Sequence, residues 1–218
     1  QPDPELMRQA KDWEQAAVGS IHMAVDGVHA ACMGVADRLR PDARSMIDKL
    51  RSSGIRLTLL SGDRMGVAEA VARQLGGMQV IAEVLPEDKD KVISDLQSQG
   101  EQVAMVGDGI NDAPALIRAD VGIAIGSGTD VSVESADIVL VGDELEKIHA
   151  ASQLSRRTLR TIRQNIGISI TYNIIMVPLA MAAQITPLVA AVSMPVSSLL
   201  VIGNAARIRT LFTRQQSR

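Results

Sequence analysis

An α/β fold built on a parallel sheet, continued by two membrane-crossing helices, is what these 218 residues predict. Two observations carry that expectation. From Pro41 onward, short apolar runs alternate with helical stretches that end at glycine, the pattern of parallel strands joined by helical crossovers. Between 164 and 206 no side chain is charged, and arginines stand at both edges of that stretch.

The elements follow in order. Residues 1–19 read as a polar helix, and the extended runs 21–25 and 28–35 meet at Asp26-Gly27, a hairpin signal. After Asp37-Arg38-Leu39-Arg40-Pro41 comes a helix over 42–52 closed by Gly54, then a strand over 55–60. A helix over 65–75 closed by Gly76-Gly77, a strand over 79–82 and a helix over 87–97 closed by Gly100 continue the pattern. Strand 102–106 leads into the turn 107–114 and its helix to 119. Strands 121–125 and 138–141 then complete a sheet expected to carry helices on both faces. A basic helix over 145–164 runs into the first span, and Gln184-Ile185-Thr186-Pro187 forms the turn before the second. Cys32 is the sole cysteine; its apolar run 30–35 makes it a small buried hydrophobe, and no disulfide framework exists.

Charge separates the two parts. All 25 acidic side chains fall at or before Glu146, against 14 basic ones before Ser155, so the first part carries −11 and the eight-arginine tail +8. Two spans of about 20 residues fit a hydrocarbon core about 30 Å thick. Arg156, Arg157, Arg160 and Arg163 precede them, and Arg207, Arg209, Arg214 and Arg218 follow. Both flanks are therefore expected in the cytoplasm and the short turn outside. Nucleic acid is an unsuitable partner, because Trp13, Tyr172 and Phe212 are the only aromatics available for base stacking. The chain starts at Gln1 without a signal peptide and reads as a C-terminal fragment.

Three strand ends carry the polar chemistry. In Gly107-Asp108-Gly109-Ile110-Asn111-Asp112-Ala113-Pro114, two carboxylates and an amide ride on a glycine-hinged turn after a buried strand. Asp108 and Asp112 suit a hard cation such as Mg2+, and Asn111 can donate to a phosphoryl oxygen. A calcium loop does not fit, since its third and twelfth positions would be Ile110 and Ala119. Ser61-Gly62-Asp63 ends strand 55–60, where a hydroxyl and a glycine N–H can meet phosphate, and Lys89 opens a helix where an ammonium can neutralise it. Singly these residues are ordinary caps and turns. In this order on one sheet they describe a phosphoryl-transfer site that lacks a nucleophile.

These motifs resemble the P-type ATPases, whose phosphorylation domain belongs to the haloacid dehalogenase superfamily. Gly107 to Pro114 is similar to the family's hinge motif, Ser61-Gly62-Asp63 to its Thr/Ser-Gly-Asp motif, and Lys89 to its lysine motif. Asp37 to Pro41 resembles the join between nucleotide-binding and phosphorylation domains, and Gly122 to Asp130 the strand and turn after the hinge. The resemblance implies a haloacid dehalogenase-like (Rossmannoid) fold with Lys89, Ser61, Asp108 and Asp112 catalytic. Ser61, Gly62, Asp63, Lys89 and Asn111 would contact phosphate, and Asp108 with Asp112 would bind Mg2+. It divides the chain into a nucleotide-binding remnant (1–36), phosphorylation domain (37–150), basic linker helix (151–165), two transmembrane helices (166–206) and cytoplasmic tail (207–218). ATP is the implied substrate. The Asp-Lys-Thr-Gly-Thr motif of the phosphorylated aspartate is absent from the sequence, so the chain alone is expected to hydrolyse no ATP.

Two spans after the phosphorylation domain resemble the heavy-metal branch. Asn165 and Tyr172-Asn173 are similar to the seventh-span pattern of copper(I) pumps, and Met194-Pro195-Val196-Ser197-Ser198 to their eighth span. Tyr172, Asn173, Met194 and Ser197 would thus line the path of transported Cu(I). The absence of any carboxylate between 164 and 206 agrees, because a soft monovalent ion needs little fixed negative charge. The implied partners are membrane lipid, the N-terminal remainder of the pump and a copper chaperone, in a bacterial inner membrane with the soluble domain cytoplasmic. A zinc or cadmium pump, a membrane-anchored phosphatase of the same superfamily and a non-catalytic regulatory fragment remain open alternatives.

Overall fold

The computed structural model describes residues 2–107, 110–126, 134–142 and 144–209. They form two compact units, Gln1–His149 and Ala150–Arg218. The first opens with α1 (Pro4–Gln15), begun by Asp3, whose carboxylate accepts the N–H groups of Glu5 and Leu6. Those bonds hold the Asp3 carboxyl below its usual range. The helix is shorter than expected because β1 (Gly19–Val25) already claims residues 19 and 20. It pairs antiparallel with β2 (Val28–Val35) across Asp26-Gly27, both with positive φ, and a register shift falls between Met23 and Ala24. Cys32 is only half-buried, facing His22 across the ladder, which corrects the expected full burial.

After the linker come α2 (Ala43–Ser52), β3 (Thr58–Leu60), α3 (Met65–Gln74), β4 (Gln79–Ile81), a single 3-10 turn (Pro86–Asp88) and α4 (Lys89–Ser98). Then follow β5 (Ala104–Gly107), a second 3-10 turn (Ile110–Asp112), α5 (Ala113–Arg118), β6 (Val121–Ile125) and β7 (Ile138–Leu140). Every pairing among β3 to β7 is parallel. The single expected sheet is, however, two: β3 with β4, and β5-β6-β7. Leu60 of β3 packs on the core formed by Ile93, Met105, Ala115 and Leu116, so the two sheets meet through side chains rather than a ladder. Alternating helix and strand dictates parallel strands but leaves their neighbours open. Burial differs accordingly. Central β6 is buried at Gly122, Ile123, Ala124 and Ile125, whereas β5 buries Met105 and Gly107 and exposes Ala104 and Val106. Burial on both faces therefore holds for β6 and fails for β5.

The core is close-packed where it positions the turn. A Cβ on Gly122 would lie 2.7 Å from the Leu116 carbonyl oxygen, so α5 sits directly on the β6 backbone. The start of β5 is tied down by Asp120, which accepts from Val103 N at 2.8 Å and Gln97 Nε2 at 3.2 Å and whose carboxyl is held low mainly by the first bond.

The second unit is a helical hairpin. α6 (Glu146–Met181) runs unbroken for 36 residues, starting in the first unit, and α7 (Pro187–Ala206) returns over 20. Ala183, with φ of 54°, ends α6; Thr186 caps α7, its Oγ1 accepting Val189 N at 3.4 Å. α7 is long and apolar enough to cross a membrane by length and composition; among the described residues it is the only helix that qualifies. The apolar part of α6 falls short because Asn165, Tyr172 and Asn173 interrupt it.

Candidate functional site

Lys89 and Asp112 form the centre of the site. Lys89 Nζ donates to Asp112 Oδ1 at 2.7 Å, and the side chains are only 17% and 13% exposed. Local chemistry puts them there. Pro86, which fixes φ and needs no N–H partner, opens the turn that ends at Asp88, so Lys89 becomes the first residue of α4. Asp112 ends the second 3-10 turn and stands at the N-terminus of α5, with Pro114 inside the first turn. The turns Pro86–Asp88 and Ile110–Asp112 pack on one another, which brings the ammonium to the carboxylate. Gly107 is required beneath them: a Cβ there would lie 2.7 Å from Asp112 Oδ2 and 2.8 Å from its Cβ.

Ser61-Gly62-Asp63 is tied by backbone bonds to the end of β4 and the segment that follows it. Ser61 N donates to Ile81 O at 3.0 Å, Val84 N to Ser61 O at 3.2 Å and Glu83 N to Asp63 O at 2.9 Å. A Cβ on Gly62 would sit 3.3 Å from Val84 O. Ser61 Oγ donates to Asp63 Oδ2 at 2.8 Å while accepting Asp63 N at 3.1 Å, a closed local turn. Asn111 is exposed. Asp108 and Gly109 lie outside the described residues, as does the stretch 127–133 with Thr129 and Asp130.

Sequence reasoning missed four residues. Glu83 and Val84 hold the Ser61 turn; Glu83 is a non-glycine at φ of 59° whose N–H bonds Asp63 O, and no local sequence pattern signals it. Arg64, next to that turn, pairs with Glu14 of α1 at 3.1 Å. Asp90 Oδ1 is buried with no hydrogen-bond partner among the described residues. As a donor set, hard carboxylate oxygens at the carboxyl end of β5 suit Mg2+, while Asp112 already spends one oxygen on Lys89. Among the described residues no group of three or more His, Cys, Asp or Glu could hold a metal.

In the helical hairpin, Tyr172 is half-buried and its hydroxyl meets Ser193 Oγ at 3.2 Å. Asn173 is exposed, Met194 is 68% exposed and Ser197 is half-buried, so the hairpin alone does not gather the four expected ion ligands. Asn204 Nδ2 instead bonds Asn165 Oδ1 at 2.9 Å and Gln164 Oε1 at 3.3 Å. Asn165 and Asn204 stand equidistant from Gln184-Ile185, and that symmetry was the missed signal for their pairing.

Residues 3–120 match the family model "haloacid dehalogenase-like hydrolase". The chain is 44% identical to the cation-transporting P-type ATPase B of Mycobacterium tuberculosis over 95% of its own length and 28% of that relative's. It is 42% identical to the probable copper-transporting ATPase PacS of Synechococcus elongatus, over 94% of this chain and 28% of that protein. Among solved structures, a zinc-transporting PIB-type ATPase in its E2.Pi state matches with a TM-score of 0.80 and 34% identity. That match covers 95% of this chain and 34% of the other. The chain thus spans about 28% of the length of the curated relatives it matches.

Proposed function

Because this chain belongs to the haloacid dehalogenase-like hydrolase family, and its relatives are cation-transporting P-type ATPases, we propose that it supplies part of such a pump's phosphoryl-transfer site. The observation that carries this reading is the largely enclosed Lys89–Asp112 pair beyond the end of β5. ATP would phosphorylate an aspartate on another part of the pump, since Asp-Lys-Thr-Gly-Thr occurs nowhere in these residues. Asp112 aims the Lys89 ammonium at the transferred group, where charge spread over three oxygens needs a fixed cation. Gly62 N supplies a neutral donor, and the Ser61 hydroxyl would add a second by turning its single proton from Asp63 Oδ2 to a phosphoryl oxygen. Asn111 extends the donor set from the rim. Mg2+, held by Asp108 with support from Asp112, would neutralise the remaining phosphoryl charge when bound.

The open edges of β3 and β5 favour the same reading. Neither pairs with another strand on its free side among the described residues, although Leu60 brings β3 against the core under β5. A strand from the N-terminal remainder of the pump would fit between them.

Cu(I) is the cargo we propose for the helical hairpin, which would lie in a bacterial inner membrane with the soluble unit in the cytoplasm. Support comes from the lack of any carboxylate between 164 and 206 and from the copper pump among the relatives. Tyr172, Asn173, Met194 and Ser197 would act with ligands from other helices, which the exposure of Asn173 and Met194 leaves room for. Delivery would fall to a copper chaperone. The zinc-transporting neighbour favours Zn(II) as the second reading. Phosphate release by the intact parent pump in vesicles separates the two: Cu(I) stimulation supports the first, and stimulation by Zn(II) alone overturns it.

A further inference from the structure

At the charged end of the helical hairpin lies a cavity of about 560 Å³. Arg156, Arg157 and Arg160 line it from α6 and Arg207 from beyond α7, while Gln164 and Asn204 bond one another across the two helices in its wall. A second cavity of about 560 Å³ is lined by Arg156, Arg160 and Gln164 as well, and adds Leu159 and Arg163. Both volumes lie within the usual range for small-ligand sites. From Ala150 onward the sequence holds eight arginines and no Asp or Glu. Guanidinium forks around a polar space match the several oxygens of a phosphate better than they match a single-point anion. Between and just beyond these arginines the same helix exposes apolar side chains: Leu159, Ile162 and Ile166 are 49%, 47% and 54% exposed. A ligand satisfying both surfaces has a phosphate at one end and hydrocarbon at the other.

We propose that this cavity binds the phosphodiester headgroup of an anionic phospholipid, its acyl chains lying along Leu159, Ile162 and Ile166. The inference rests on reading the hairpin as membrane-spanning. It is distinct from the Lys89 site, which belongs to the other unit.

Native mass spectrometry of the full 218-residue chain in detergent micelles, with phosphatidylglycerol and phosphatidylcholine offered in equal amounts, reads out the site without requiring insertion. Phosphatidylglycerol is expected to be retained preferentially, with Arg157→Gln and Arg160→Gln each weakening retention about five-fold. Arg118→Gln on α5 should leave it unchanged. If Arg160→Gln loses helicity by circular dichroism, Arg160→Lys, which keeps the charge without the fork, should still lose part of the preference. Equal retention of the two lipids overturns the proposal, as does a preference that survives both glutamine variants. Displacement of phosphatidylglycerol by millimolar inorganic phosphate overturns the lipid in favour of free phosphate. Flotation with pure phosphatidylcholine vesicles tests the spanning reading separately. A chain that fails to float removes that reading, whereas one that floats yet shows no phosphatidylglycerol preference removes the headgroup site alone.

Discussion

A missing methyl group decides how Asp112 is held. The Gly107 Cα leaves room for its carboxylate, and a Cβ there would meet Asp112 Oδ2 at 2.7 Å. Gly107→Ala in the parent pump is therefore expected to displace Asp112 and slow phosphorylation by ATP, and Asp112→Ala to slow it likewise; radiolabelled phosphoenzyme formation measures it. Lys89→Ala should slow the same step by about 10²- to 10³-fold, the loss typical of one preorganised charge at a transferring group. Wild-type rates of labelling in that variant would remove Lys89 from the site. These residues were legible in the sequence because a phosphate and a hard cation demand particular side chains at a strand's end. Glu83 and Asp90 were not legible, since their parts depend on a backbone turn and on burial that no local spacing encodes.

Short elements place the site, and long ones frame it. Parallel strands and glycine-closed helices followed from periodicity, and β2 and β6 match their expected limits. The expected helix over 87–97 took in part of the turn Pro86–Asp88, because 3-10 and α geometry share their composition, whereas Ile110–Asp112 falls within the expected turn 107–114. Gly122→Ala, which puts a methyl group 2.7 Å from the Leu116 carbonyl, should destabilise the first unit by about 1–3 kcal/mol, measured as a shift in its urea midpoint. The first turn of α6 is anchored differently. Glu146 Oε1 accepts Lys49 Nζ at 2.6 Å and Ser45 Oγ at 3.1 Å, and the lysine bond is the main reason its carboxyl lies below the usual 4.5. A carboxyl lowered on folding contributes stability above its unfolded value, and that contribution is lost as the pH falls through the folded one. Amide protection at 147–149 should therefore drop below about pH 4.5, and Glu146→Gln should flatten the drop. In the helical hairpin, Asn204→Leu removes the bonds to Asn165 and Gln164, which costs about 0.6–1.7 kcal/mol of helix pairing, seen as lowered thermal resistance in micelles.

At the scale of the whole molecule, the proposed function divides the chemistry between this chain and the remainder of a pump. Purified alone it should release no phosphate from ATP above a Lys89→Ala control, because the sequence holds no Asp-Lys-Thr-Gly-Thr. Turnover above that control would mean a nucleophile of another kind. The charge division was visible in composition from the start, but the lateral order of the strands was not, since it depends on long-range pairing. The acid-free hairpin has an electrical consequence. Between 164 and 206 the sequence holds no Asp, Glu, His, Lys or Arg, so these helices offer no carboxylate to take up a proton as a cation leaves. An ion passing along them would move its charge uncompensated, and the membrane potential would weigh on each one by about 2.3 kcal/mol per 100 mV.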